Sequence, residues 1–381
     1  MKKYHLKKKH QEKKSQIRYP INCGLLDCHQ PYYDDIEHSD SLPISSISFD
    51  SHADYLAVAY NDNSFCVKKL SCSKANCISD KFPTRICKSH DSQRKSGHII
   101  LSSRPSWSCW SQSPKLLAFD HCLYSLHESS FSIRKCYELP DGSTNATLFA
   151  RDRAIVSTMK SSLYLHSIQH DSEKLSLKAV HSFSFNPSRQ ISAIASVNNA
   201  PSNLIACSLN DGTLKILDGV RGSELWTRPS AAGYQKAHAL AFPNISQNVD
   251  LPPERYDLLV AASIDGGGVC KIWDLRTGSI VSTLNGHVNR RERCMVSFSP
   301  CMRYIGVGSE GTCGTAAIFD IRAGNHEKAL VPNNVGKDQS GKFLRDHIIT
   351  DVQFNPIHPQ LATSSLSGRI RMYTTHNPTI R

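Results

Sequence analysis

Three stretches of the C-terminal half carry the same order of short apolar runs, and that repetition limits the fold more than any other feature. Ala239–Phe242, Leu258–Ser263 and Val269–Leu275 form one copy, and Met295–Phe298, Tyr304–Gly308 and Ala316–Ile321 form the next. Ile349–Phe354, Gln360–Ser365 and Arg369–Tyr373 form the third. Phe298-Ser299-Pro300 aligns on Phe354-Asn355-Pro356, with Phe242-Pro243-Asn244 a looser match, and the three phenylalanines stand 56 residues apart. Each run is rich in β-branched or aromatic residues and bounded by Gly, Pro, Asn, Asp or Ser, the pattern of strands in tight meanders. No helical period separates them.

A small antiparallel sheet has two apolar faces and two open edges. Placing such sheets radially buries each face against the next and leaves only short edges. The repeat therefore predicts an all-β ring. Ile44–Phe49, Tyr55–Tyr60 and Phe65–Leu70 supply a first unit, with Asn61-Asp62-Asn63 as its hairpin turn. Ile191–Ser196, Leu204–Leu209 and Leu214–Leu217 supply a fourth, and Ser106–Leu126 and Thr147–Ile168 the weaker second and third. These sum to seven four-stranded units over residues 42–376, at roughly 48 residues each.

Several of these segments resemble WD-repeat proteins. Val269-Cys270-Lys271-Ile272-Trp273-Asp274-Leu275-Arg276-Thr277-Gly278 is similar to the family's third strand with its Trp-Asp pair, and Asn285-Gly286-His287 to the Gly-His that opens the next repeat. Asn210–Asp218, containing Asp211, and Ile318–Arg322, containing Asp320, match the same strand with Leu217 and Phe319 in the Trp place. The resemblance implies a single β-propeller whose blades each hold a buried hydrogen-bonded set of His, Ser or Thr, Asp and Trp. Ser263, Asp265 and Trp273 match three of those roles, with Tyr234 or His238 where the His is expected; no unit shows all four. It further implies that a strand from the N-terminal segment, residues 19–41, completes the last unit and closes the ring. Ile17–Ile21 or another stretch before Ile44 is the candidate. Residues 377–381 form a short C-terminal tail.

The charge is localised. Of the net +12, residues 1–18 carry +7, from seven lysines and Arg18 against Glu12 alone. A like-charged block without apolar residues does not offset its ordering entropy, so a disordered tail is expected there. Such a tail serves as a nuclear-localisation signal, a phosphate-contacting arm or a solubilising terminus. No run reaches the ~18 apolar residues of a membrane span, and Met1 to Ser15 lacks the apolar core of a secretory signal. A cytoplasmic or nuclear protein is expected, without a membrane partner. Its 14 cysteines include no C-x2-C pair; the nearest spacings are Cys23–Cys28 and Cys72–Cys77. Cys207, Cys270, Cys294 and Cys313 sit in apolar runs, where a reduced cysteine acts as a small hydrophobe, so no metal site is expected.

Motifs suggestive of chemistry lack their structural context. Gly306-Val307-Gly308-Ser309-Glu310-Gly311 has dinucleotide-site spacing, but a strand follows where a helix is needed, and its glycines read as hairpin residues. Gly336–Lys342 has P-loop spacing, but Phe343 stands where a magnesium-binding hydroxyl belongs. His121, His166 and His181 read as hydrogen-bonded core or turn residues. Asn145 and Asn244 head glycosylation triplets that matter only in an exported chain. No catalytic residue, cofactor or metal ligand is assigned, and no enzyme is expected. The expected function is that of a protein-interaction scaffold. The alternative is an RNA- or chromatin-associated propeller assisted by the basic tail.

Overall fold

A computed structural model describes residues 32–36, 42–62, 64–73, 76–79, 84–86, 104–107, 115–119, 122–127, 132–139, 143, 145–149, 154–159, 161–171, 174–197, 202–229, 236–243, 258–263, 268–310, 316–321, 327–330, 348–358 and 360–374. Among them no helix occurs, and the strands form seven antiparallel sheets. Strand β1 (Tyr32–Ile36) comes first in the chain. The first sheet then holds β2 (Ile44–Phe49), β3 (Tyr55–Tyr60), β4 (Phe65–Ser73), β5 (Asn76–Ser79) and β6 (Thr84–Ile86). The second holds β7 (Ser106–Trp107), β8 (Lys115–Phe119), β9 (Cys122–His127) and β10 (Ser132–Glu138). The third holds β11 (Asn145–Phe149), β12 (Ala154–Met159), β13 (Ser162–Asp171) and β14 (Lys174–Ser184). The fourth holds β15 (Ile191–Ser196), β16 (Leu204–Leu209), β17 (Leu214–Asp218) and β18 (Ser223–Arg228). The fifth holds β19 (Ala237–Ala241), β20 (Leu258–Ser263), β21 (Val269–Asp274) and β22 (Ser279–Asn285). The sixth holds β23 (Val296–Phe298), β24 (Tyr304–Val307), β25 (Ala316–Asp320) and β26 (Glu327–Leu330). The seventh holds β27 (Ile349–Phe354), β28 (Gln360–Ser365) and β29 (Ile370–Thr374).

Each sheet packs on the next through its first strand: β2 on β7, β7 on β11, β11 on β15, β15 on β19, β19 on β23, β23 on β27, and β27 back on β2. First strands therefore line a central channel, and fourth strands form the rim. Sequence pattern follows position. β3 reads Tyr-Leu-Ala-Val-Ala-Tyr and is buried throughout, since both its faces meet a neighbouring sheet. β18 and β22, at the rim, are exposed over their first three residues.

Apolar burial is divided among seven clusters, one at each junction. The cluster joining the ends of the ring brings Ile44, Ile47, Leu56 and Val58 against Ala362, Ile370 and Met372. Burying each large aliphatic side chain contributes about 1.5–3 kcal/mol as an upper figure. An open row of seven sheets would have six such layers, so the seventh exists because the row is closed. Closure has a second component. β1 adds to the last sheet beside β29, with Tyr32 opposite Thr374 and Ile36 opposite Ile370. The pairing segment is thus Tyr32–Ile36, while Ile17–Ile21 lies outside the described residues.

Polar contacts repeat the circuit near the channel. Trp107 Nε1 donates to the Ser48 carbonyl (3.0 Å), and Leu148 N donates to Ser106 Oγ (3.1 Å). Ser196 Oγ donates to the Leu148 carbonyl (2.7 Å), and Ser192 Oγ to that of Ala237 (2.7 Å). His238 Nε2 lies 3.0 Å from the Cys294 carbonyl, Ser297 Oγ donates to that of Val352 (2.5 Å), and Ile47 N donates to Asp351 Oδ2 (3.0 Å). Every junction is thus tied by a hydrogen bond with a buried or half-buried partner.

One expectation is extended and one corrected. Gly306, within β24, and Gly308, in the connection from β24 to β25, do belong to that hairpin, and a Cβ on Gly306 would stand 2.5 Å from Val352 Cγ1, one on Gly308 2.4 Å from the Ile349 carbonyl oxygen. They let the sixth sheet approach the seventh. The third sheet ends with the 11-residue strand Lys174–Ser184, beyond the Thr147–Ile168 stretch assigned from sequence.

Candidate functional site

Among the described residues, Arg104 reaches across the ring. Arg104 precedes β7, in a sheet whose ring neighbours are the first and third, yet its guanidinium reaches the sixth and seventh. Nη2 lies 2.5 Å from Asp351 Oδ1 and Nε 3.1 Å from Oδ2, a two-pronged ion pair, while Nη1 donates to the Val296 carbonyl (2.9 Å). Asp351 is fully buried on β27. Burial pushes its carboxyl up, against the pull of Arg104 and the Ile47 amide. A second buried ion pair, Lys115 Nζ to Asp50 Oδ2 at 2.6 Å, joins the second sheet to the first. Both acids are bound by structural partners.

The buried histidines belong to the frame as well. His238 Nε2 also stands 3.1 Å from Asn289 Nδ2, and burial pushes its ring down to about 3. His287 packs edge-on against Phe319, with no hydrogen bond to either ring nitrogen among the described residues. Burial takes it down to about 4. Just after His287 the chain folds over Glu310, whose Oε1 accepts the amides of Arg290, Arg291 and Glu292 at 2.6–2.8 Å. These groups are neutral or already satisfied, which suits them to hold a loop rather than to exchange protons with a substrate.

A cleft of about 370 Å³ opens between the third and fourth sheets, lined by Phe183, Phe185, Leu209, Arg189, Lys215 and Glu224. Lys215 Nζ stands 5.3 Å from the Phe185 ring centroid, 2.5 Å from Glu224 Oε2 and 2.9 Å from Thr227 Oγ1. Partial burial works against the charge of Glu224, but hydrogen bonds from Lys215 and Thr227 hold its carboxyl below the usual range. The cleft combines apolar walls with fixed charge, a composition suited to recognising a side chain.

Beside it lies the rim of the third, fourth and fifth sheets. The exposed large hydrophobic residues among those described are Val180, Val220, Leu225, Ile280 and Val281, between 47% and 61% exposed, and all sit on this arc. Its parts are tied together. His181 Nε2 lies 3.0 Å from the Val220 carbonyl, Trp226 Nε1 donates to that of Leu275 (3.3 Å), and Arg228 Nε to that of Gly278 (2.9 Å). The receiving turns share a build. Asp218 accepts the amides of Val220 and Arg221, Asp274 that of Arg276, and each turn closes four residues later on a left-handed glycine, Gly222 (φ 67°) or Gly278 (φ 62°). A side chain there would meet His181 or Arg228, besides the strain of positive φ.

The residues singled out from sequence distribute as follows. Trp273 is buried between the fourth and fifth sheets with Leu240, Phe242 and Ile216. Ser263 ends β20; its side chain and Asp265, like Tyr234, lie outside the described residues. His238 reaches the sixth sheet and so stands on the face of the fifth opposite Trp273, which removes it from the histidine role beside that Trp. Asp274 and Asp320 both end third strands, paired with Arg276 and Arg303. Asp211 instead sits in the hairpin before its strand, accepting the Thr213 amide and facing Arg189 at 2.9 Å. Gly286 follows β22, and His287 is described above. His166 is buried against Ser157, while His181 is a half-exposed rim residue. Asn145 is buried in β11, so its amide offers no acceptor for a glycan. Cys207, Cys270 and Cys294 are buried thiols that burial pushes up, keeping them protonated. Sequence reasoning missed Arg104 and the rim aliphatics; in single strands they read as an ordinary surface cation and ordinary strand residues.

A family model for the WD domain, G-beta repeat, matches residues 339–374. That span holds β27, β28 and β29, so the last sheet is built on a WD40 repeat. The other sheets repeat its antiparallel strand order around the ring.

Proposed function

We propose that this chain, a closed ring of sheets with a WD40 repeat at its C-terminal end, is a seven-bladed, non-catalytic scaffold that binds other proteins. The observation that carries this reading is the distribution of exposed aliphatic residues. Scattered apolar residues are normal on any surface, whereas here all five fall on one arc of three adjacent sheets. WD40 domains generally mediate protein–protein contact, and the rigid frame fits that use. Buried ion pairs and inter-sheet hydrogen bonds hold the elements in place while strands and turns at the periphery face solvent. Within the family, Gly286-His287, Val296–Ile305 and Val352–Thr363 are similar to the C-terminal propeller of WD repeat-containing protein twenty-seven. The proposed setting is the cytoplasm or nucleus.

The test is tandem affinity purification of the full chain from nuclease-treated cells, followed by reconstitution with each co-purifying protein made separately. The scaffold reading expects at least one protein that rebinds in stoichiometric amount. A chain that purifies alone at 42.4 kDa, or only with nucleic acid when nuclease is omitted, would overturn it.

A further inference from the structure

We propose that the rim of the third to fifth sheets is the docking surface, and that its occupant is a partner segment combining aliphatic residues with aspartate or glutamate. This rests on the scaffold reading and specifies its site and partner chemistry.

The register of the outermost strands supports it first. Leu165 pairs with His181 and His166 with Ala179, leaving Val180 unpaired. Ile216 pairs with Trp226 and Leu217 with Glu224, leaving Leu225 over. Ile272 pairs with Ser282 and Trp273 with Ile280, leaving Val281 over. The same β-bulge thus recurs in three consecutive sheets, and each time its extra residue is an exposed aliphatic. Leu225 and Val281 also stand 56 residues apart, the interval of the sequence repeat. The second sheet has the bulge too, at Cys136, a half-buried residue beside the Lys135–Glu138 ion pair, and there the apolar arc stops. A bulge breaks the ladder of an edge strand and re-aims a side chain. The edge is therefore poorly suited to adding a further strand, and recognition falls to the aliphatic side chains themselves.

Charge identifies the occupant. Among the residues whose side chains are described, strands β14, β17, β18, β21 and β22 and the turns after Asp218 and Asp274 hold Lys178, Lys215, Arg221, Arg228, Lys271 and Arg276 against Asp218, Glu224 and Asp274. Those acids are engaged: Glu224 with Lys215, Asp274 with Arg276, and Asp218 with two backbone amides and, at 3.9 Å, with Arg221 Nε. The Arg221 side chain is 80% exposed beside Val220. Aliphatic projections inside a net cationic field complement an acidic, aliphatic segment. A second copy of the chain would set one cationic rim against another.

The experiment pans a displayed random-peptide library on the full chain and measures enriched peptides by fluorescence polarisation. Leu225→Asp, Val281→Asp and Arg221→Glu serve as comparison proteins, each first shown to melt with the parent chain. Enriched peptides are expected to alternate aliphatic and acidic residues, to lose at least ~10-fold in affinity on each variant, and to weaken with added salt. Peptides that enrich without acidic residues, or that bind the three variants as they bind the parent, would overturn the rim assignment and leave the scaffold reading standing. A library from which nothing enriches would count against both.

Discussion

At the scale of single residues, two of the buried histidines, His238 and His287, tie stability to pH. Burial lowers His238 to about 3 and His287 to about 4, from an unfolded value near 6.5. Between those limits the unfolded chain binds protons that the folded chain refuses, so stability is complete above pH ~6.5 and falls as the pH drops toward 4. The loss is about 1.4 kcal/mol per pH unit for each histidine. Chemical denaturation at pH 7, 6 and 5 should show this decline, and His287→Phe should flatten it. An unchanged slope in that variant would mean the ring is solvated. His287 was legible in the sequence because Gly286 precedes it. His238 was less so: its immediate neighbours are alanines, and which face of β19 it takes depends on a one-residue shift in register between Ala237 and Ala239.

Among the elements, legibility followed burial on two faces. Tyr55–Tyr60 and Leu204–Leu209 are continuous apolar runs because each is sandwiched between sheets, and both emerged from the sequence at their observed bounds. Lys174–Ser184 did not. As an outer strand it alternates Leu175, Leu177 and Ala179 with lysine and serine, and such a pattern also suits a loop. Tyr32–Ile36 was placed only as part of a longer segment, since two aspartates interrupt it and its partner lies at the far end of the chain. Its role can be tested directly. Deleting residues 1–43 should lower the melting temperature sharply and promote aggregation, because it uncovers the edge of β29. In the intact chain the amides of Ile370 to Thr374 should exchange only through global opening. Rapid exchange there, or a stable monomer after the deletion, would show that this edge does not need β1.

On the scale of the whole molecule, Arg104 ties the second sheet to the sixth and seventh, which come far later in the chain. Removing the cation alone leaves a buried carboxylate, and Arg104→Ala should cost about 3–5 kcal/mol. Arg104→Met combined with Asp351→Asn should recover much of that loss, since both charges leave together. Urea denaturation of the single and double variants decides it: equal loss in both would mean that the pair is not coupled. No periodicity in the sequence announces this contact, because it depends on where the ring places its second sheet relative to its sixth and seventh.

The pairing of β1 with β29 also bears on when the molecule can be finished. Tyr32 is among the first described residues to leave the ribosome, and Thr374, its partner, is the last. At ~5–20 residues per second the interval is on the order of 20 seconds to a minute. Throughout that time each new sheet can pack on the one before it, but the first and last faces of the growing stack remain open, and β1 has no strand to join. The junction between Ile44 and Ile370 cannot form gradually; it waits for the final strand and then closes at once. Closure therefore follows the emergence of β29, and the time before it is when an unclosed stack most needs shelter from other exposed edges.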